Sequence, residues 1–418
     1  MRRLAAAAAF LLMLSFPDGV PRAEEPPPID DTVAAGDADA VEPARKLPWN
    51  EFDWKYSTFR FGGGFLTDFA DYGQDAESKQ QVTLDNGDVG LRDFRILFKG
   101  KLKTQRPISW TLGYMYDGAE KEWRFRQTGF TIGVPEWKGS FFVGRTKEGY
   151  SLIKVMVGYS GWANERSQAN DAFVPILADG VKWSGYHREP HIFYQLGFYG
   201  DELSEEEKFS TYDHQIAARV GWNPSRDDGQ KVFHVAVMGR DGDPDEGSLQ
   251  VRARPGSYLA PYFLDTGKIA SDHARTEGFE AFYRTGPLLF GTEYNVLQVD
   301  AKAGGTPLFH GGDAVVSWNI TGETRSYNAP GAFFEAVSPK RTVFEGGPGA
   351  FEAVLVCTYA DFDDGAFTGG KYWRFTPMVN WHMSDNVRLE FIYGYGSLDR
   401  FDLLGRTHFA QFRLQLTL

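Results

Sequence analysis

The chain closes on Thr407-His-Phe-Ala-Gln-Phe-Arg-Leu-Gln-Leu-Thr-Leu418, and the alternation in this stretch decides the fold. Ala410, Phe412, Leu414, Leu416 and Leu418 share one parity, and Thr407, Gln411, Arg413, Gln415 and Thr417 the other. A strand turns successive side chains to opposite sides, so this segment has one apolar and one polar surface. A soluble sandwich uses such strands too. Here the pattern recurs up the chain and a secretion signal precedes it, which predicts an all-β, transmembrane antiparallel barrel, apolar outside and polar within.

Residues 1–23 read as a signal peptide: Arg2 and Arg3, an apolar run from Leu4 to Phe16, then Pro17 and a cleavage position after Ala23. No later segment offers the roughly 18 consecutive apolar residues that a membrane helix needs. Residues 24–50 are rich in Pro, Ala and acids and poor in large apolar groups, the composition of a disordered tether. From 51 to 418 strand-like and turn-like segments alternate without a second linker, so one barrel domain is expected. Aromatic residues make up 15% of the chain, which suits interfacial rings on many short strands. Cys357 is the sole cysteine, so no disulfide forms within the chain, and it reads as a small packing residue in an apolar run.

The periodicity places strands at about 55–67, 91–104, 108–117, 122–132, 139–147, 180–187, 191–200, 211–222, 231–240, 274–284, 288–299, 312–321, 350–360, 371–383, 387–398 and 407–418. Sixteen is an even number, as bacterial barrels require, and short turns at one end with long loops at the other are expected. Three connections, about 148–179, 241–273 and 322–349, exceed the ~12–15 residues usual for a loop. They carry Tyr159, Trp162, Tyr258, Tyr262, Phe333 and Phe334, and are expected to fold into the barrel and narrow it.

Where the charges point matters more than the net charge of −12. The acids gather in loop-like stretches such as Glu202-Leu-Ser-Glu-Glu-Glu207, whereas bases occupy strands. In 90–103, Phe94, Ile96, Phe98 and Leu102 share one parity, while Asp93, Arg95, Lys99, Lys101 and Lys103 share the other. A cation facing lipid near the midplane costs ~2–4 kcal/mol, so the basic side must face inward. Arg124 and Arg126 alternate with Trp123 and Phe125 in the same way, as does Arg219 with Val220 and Trp222, and Arg388 with Leu389, Phe391 and Tyr393. Cations lining a confined passage partly replace the water of a passing anion. The bland alternative is a wall in which each arginine pairs with a nearby carboxylate.

Several runs resemble the phosphate-selective porins O and P of Gram-negative outer membranes. They are Leu91-Arg-Asp-Phe-Arg-Ile-Leu-Phe-Lys-Gly100, Gly144-Arg-Thr-Lys-Glu-Gly-Tyr-Ser-Leu152, Glu165-Arg166, Ala178-Asp-Gly-Val181, Gly291-Thr-Glu-Tyr294, Thr321-Gly-Glu-Thr-Arg325 and Val379-Asn-Trp381 with Asn386-Val-Arg-Leu389. The resemblance implies a sixteen-stranded outer-membrane barrel, usually trimeric, with arginines and lysines guiding inorganic anions through a narrow eyelet. No cofactor is expected, and no basic stripe interleaved with aromatics points to nucleic acid. Arg92 matches the first residue of an arginine pair in such channels, and Asp93 stands where the second would be. Lys154 falls where the third loop carries a lysine, Arg252 and Arg254 resemble an Arg-x-Arg run of the fifth loop, and Arg145 and Arg166 match motif arginines. The pore-lining set expected is thus Arg92, Arg95, Lys99, Arg124, Arg126, Arg145, Lys154, Arg166, Arg252 and Arg254.

Asp93, the acidic loops and the terminal Leu418 depart from that pattern, so a general or carbohydrate-accepting porin stands as the alternative, and a plugged structural barrel as a third reading. A barrel enzyme is weakly supported. Gly158-Tyr-Ser-Gly161 is followed by Trp162 and lacks the second glycine of a nucleophile elbow. His187-Arg-Glu-Pro-His191 is not a zinc-helix motif, and Pro190 makes it a turn.

Overall fold

Alternating side chains satisfy both a hydrocarbon face and a wet face only if every strand finds a partner on each edge. A computed structural model of the chain describes residues 48–85, 87–156, 158–200, 210–226 and 229–418. The expected signal peptide over 1–23, residues 24–47 of the expected tether and the acidic run 202–207 lie outside the described residues. The wall consists of β1 (Thr58–Gln74), β2 (Asp88–Leu102), β3 (Ile108–Asp117), β4 (Glu122–Val134), β5 (Gly139–Thr146), β6 (Ala178–His187), β7 (Ile192–Gly200) and β8 (Tyr212–Trp222). It continues through β9 (Lys231–Pro244), β10 (Leu264–Thr285), β11 (Leu288–Ala301), β12 (Leu308–Asn319), β13 (Ala350–Asp364), β14 (Phe367–His382), β15 (Val387–Arg400) and β16 (Leu403–Thr417). Each strand pairs antiparallel with the next, and β16 returns to β1 through pairs such as Asp68↔Arg413 and Phe69↔Phe412, closing a barrel of sixteen strands.

The parity read from the terminal strand holds in space. Gln411, Arg413 and Gln415 are buried in the interior, while Leu404 and the rings of Phe391 and Tyr393 on neighbouring β15 are exposed on the outer wall. Asp93, Arg95 and Arg126 point inward, and Phe94, Ile96, Trp123 and Phe125 outward. Cys357 is exposed on the outer wall: its parity matches Phe351 and Tyr359, so it faces outward rather than serving as the small packing residue expected. The barrel begins slightly before residue 51. Asn50 is buried, its side-chain amide donating to Phe61 O at 2.7 Å, and the Trp49 ring meets Phe61 edge-on at 5.3 Å.

Two connections differ from expectation. The one expected over 241–273 spans only 245–263, because β10 starts at Leu264 and pairs there with a short strand, Ser248–Ala253. The one over 320–349 lies at the end that holds the short turns 103–107, 188–191 and 383–386 and the last strand's C-terminus, so long loops are not confined to one end. The physical reason is that this segment does not run over the surface. It enters the lumen, where Phe333 and Phe334 are buried and the Phe334 ring meets Trp162 of the 147–177 loop at 6.2 Å. Loops thus fill the barrel from both ends.

Val237 sits mid-strand on the outer wall, 59% exposed, between Val220 and Phe279. Val237→Arg is expected to destabilise the barrel by ~2–4 kcal/mol, measured by urea unfolding in lipid vesicles; an unchanged midpoint would place this face away from lipid.

Candidate functional site

A loop inside a barrel must find partners for its backbone polar groups. The 147–177 loop leaves β5 and turns into the lumen, where side chains of the wall and of the 320–349 segment supply them. Gln415 donates to Tyr159 O at 3.1 Å, Arg325 to Ser160 O at 2.6 Å, Arg388 to Gly161 O at 2.8 Å and Asn380 to Trp162 O at 2.9 Å. Arg413 donates to Asn164 O. Gly64 on β1 makes room for the loop, since a Cβ there would lie 2.1 Å from the Tyr159 ring. The 245–263 loop is pinned similarly. Arg374 donates to Pro255 O at 2.8 Å, and a Cβ on Gly256, at φ +98°, would collide with that guanidinium. Many of the wall cations are therefore loop anchors.

A cavity of about 80 Å³ remains between the loop and the wall strands β1–β4 and β16. Arg92, Arg95, Arg126, Arg166 and Arg413 line it together with Asp93, Asp117 and Glu165. A bulge brings both Arg92 and Asp93 to the inside. Leu66 pairs with Asp93 and Thr67 with Leu91, which leaves Arg92 as the extra residue of β2. The Arg92 fork grips Glu165 at 2.9 and 3.2 Å and reaches Asp117 at 3.4 Å. Arg413 bridges Asp68 at 2.6 Å and Glu165 at 2.7 Å. Arg95 holds Asp93 at 2.8 Å, and the Tyr159 hydroxyl donates to the same carboxylate at 3.0 Å. Two cations differ. Among the described residues the Arg126 guanidinium makes one hydrogen bond, to Met115 Sδ at 3.3 Å, and Arg166 reaches only Ile153 O, at 3.4 Å.

Of the ten residues singled out from sequence, Arg92, Arg95, Arg126 and Arg166 meet at this cavity. Arg145 is part of the wall, forked onto Asp179 at 3.0 Å and Phe125 O at 2.9 Å. Arg124 pairs with Glu122 at 2.6 Å beside the 118–121 turn, and Lys99 is half-buried on the inner face nearer the opposite end. Arg252 and Arg254 stack on the Tyr262 ring at 4.2 and 4.1 Å, away from the cavity. Lys154 is buried, its ammonium 3.9 Å from Asp171. Arg413 and Asp68 were not singled out. Arg413 could have been, because it shares the polar parity of Gln411 and Gln415.

A sequence profile of the family described as "Phosphate-selective porin O and P" matches residues 59–418. The chain belongs to this family. It is an outer-membrane porin, and solved structures share its fold at low identity. The outer-membrane channel DcaP of Acinetobacter baumannii superposes with a TM-score of 0.56 at 9% identity, over 88% of this chain and 99% of that one. The outer-membrane protein OmpT of Vibrio cholerae gives 0.54 at 12%, over 88% and 99%. An anion-selective porin from Comamonas acidovorans gives 0.52 at 12%, over 87% and 100%. An uncharacterized protein of Caulobacter vibrioides is 29% identical over 117 residues, 28% of this chain and 23% of that one's length.

Within the porin's inserted loop two groups are shifted. Burial pushes the Lys154 ammonium down to about 7, with Asp171 offsetting only part. Burial pushes Glu165 up, but Arg92 and Arg413 outweigh it and hold the carboxyl at about 2, against an ordinary 4.5. A lowered folded-state pKa means that the Glu165 anchor contributes fully above pH 4.5 and is lost as pH falls through about 2. Glu165→Gln leaves Arg92 and Arg413 less compensated and is expected to cost about 3–5 kcal/mol. The loss should be visible in urea unfolding at neutral pH and should vanish in strong acid; equal stability at neutral pH would remove Glu165 as an anchor.

Proposed function

We propose that this porin is a passive, anion-preferring diffusion channel for phosphate or a related oxyanion. The observation that carries the reading is the pair Arg126 and Arg166, inward-facing guanidiniums at one cavity without a carboxylate within ion-pair distance among the described residues. The other cavity arginines are neutralised by Asp93, Glu165, Asp117 and Asp68. An unneutralised guanidinium in a confined, poorly hydrated space attracts an anion and offers a planar fork to paired oxygens. Lys154 adds charge below about pH 7 and loses it above. Family membership and the shared fold with an anion-selective porin support the same reading. The trimer form of the Vibrio cholerae protein, 0.51 in TM-score over 87% of this chain, supports a homotrimer.

Two other readings have specific support. The Tyr159, Trp162 and Tyr258 side chains beside the cavity favour a carbohydrate-accepting channel. The 320–349 segment favours a plugged barrel: Arg325 ties it to Glu352 at 2.7 Å, Arg219 donates to Ala332 O at 2.8 Å, and the Tyr327 hydroxyl lies 2.6 Å from His234 Nδ1. For catalysis, Ser160 sits in the inserted loop and His191 in the 188–191 turn, where its Nδ1 is 3.5 Å from the Tyr186 hydroxyl.

Reversal potentials of the reconstituted protein under a salt gradient test the proposal. The wild type is expected to prefer chloride over potassium, and Arg126→Gln/Arg166→Gln to lose most of that preference; a cation-preferring wild type would reject the reading. Replacing 326–338 by a short glycine-serine linker is expected to raise single-channel conductance severalfold, and no change would show that current bypasses the segment.

A further inference from the structure

We infer that the cavity beneath the inserted loop is a binding site for a small organic carboxylate, an anionic head on an apolar body; this rests on the anion-channel reading and, of the oxyanions it admits, selects a carboxylate over phosphate at this cavity. The cavity lining combines guanidiniums with apolar side chains, and the carboxylates among it, Asp93, Asp117 and Glu165, are held by Arg95 and Arg92. Arg126 is only 7% exposed and makes no ion pair among the described residues; the charges of Arg95, Asp93 and Arg166 all act on it. Apolar surface comes from Ile153, Met156 and Trp162 of the loop with Leu66 and Met115 of the wall and Ile176.

A fully hydrated inorganic anion carries polar oxygens in every direction, and apolar side chains cannot replace the water it would lose. A carboxylate presents its two oxygens in one plane, matching the guanidinium fork, and leaves the remainder of the molecule to meet hydrocarbon. The lumen already recognises carboxylates in this way. Arg145 takes Asp179 through Nε and Nη2, both at 3.0 Å, and Arg92 takes Glu165 at 2.9 and 3.2 Å. Arg126 is the same kind of fork without a carboxylate within ion-pair distance among the described residues, its one hydrogen bond going to the Met115 thioether, and methyl, thioether and indole groups share its cavity.

The test uses the full-length protein in a planar bilayer with chloride as the current carrier, titrated separately with acetate, hexanoate and inorganic phosphate. Hexanoate is expected to halve the current at a concentration at least about tenfold below acetate, since its extra methylenes leave water on binding, while phosphate blocks no better than acetate. This comparison needs only the wild type. Ile153→Thr and Met156→Gln alter the apolar lining without touching a charge. They are expected to bring the hexanoate block close to the acetate block. Equal block by the two acids, a stronger block by phosphate, or no block by any of the three would overturn the inference even with an anion-selective reversal potential. A cation-selective reversal potential would instead overturn the channel reading beneath it.

Discussion

A closed ring of strands has one surface in oil, so all the charge carried by its strands must share the other. If water filled that interior, the charges would be cheap to keep. Loops fill much of it, and there an isolated charge costs several kcal/mol while removing one member of a buried pair costs about 3–5 kcal/mol. The interior answers with paired groups. Arg219 holds Glu280 at 2.8 Å with His234 at 2.7 Å on the same carboxylate, and Arg325 and His382 share Glu352 at 2.7 and 3.2 Å. Arg240 holds Glu148 at 2.8 Å. In this last pair one member is on the wall and the other on the inserted loop, so satisfying the charge also fixes the loop.

The same demand explains why loops can enter from both ends. An irregular backbone brings carbonyls and N–H groups without ladder partners; long arginine, asparagine and glutamine side chains reach in to meet the carbonyls, and wall carboxylates such as Glu280 accept from loop N–H groups, Leu152 N at 2.6 Å. Arg325 shows the economy of the arrangement. Its Nη1 serves Ser160 O and Glu335 O, each at 2.6 Å, while Nη2 serves Glu352 at 2.7 Å. One guanidinium therefore joins the loop from one end, the segment from the other and the wall between them. The rings of Trp162, Phe282 and Phe334 pack beside this junction, with centroids 5.6–6.2 Å apart, and exclude water from it.

How much of this was legible in the sequence follows from what kind of rule each feature obeys. Strand parity is local, so Arg95, Arg126, Arg219, Arg388 and Arg413 could be placed on the inner face without coordinates, and so could the existence of sixteen strands. The ends of the strands were less legible. The stretch 264–273 alternates weakly and is held in β10 by pairing with Ser248–Ala253, a partner that no local pattern announces. The partners of the cations were not legible at all. Arg92 meets Glu165 across 73 positions and Arg413 meets Asp68 across 345, distances at which spacing carries no information. The side from which 320–349 enters was implicit in the strand order: it follows the twelfth strand, whereas the other two long connections follow the fifth and the ninth, so it must lie at the opposite end.

The position of Asp93 shows why a count of arginines misjudges such a site. Where the family resemblance places a second arginine, this chain has an acid, and the bulge at Arg92 turns it inward. There it binds Arg95 and accepts from Tyr159 of the inserted loop at 3.0 Å. A second arginine would add a charge to the passage; Asp93 removes Arg95 from it and secures the loop. Glu165 does the same to Arg92 and Arg413. What is left for a solute is decided by which guanidinium lacks an internal carboxylate. Arg126 has none within ion-pair distance among the described residues; its hydrogen bond goes instead to the Met115 thioether, which faces the same cavity. The Met115 thioether is thus at once the contact of the uncompensated cation and part of the cavity's apolar lining.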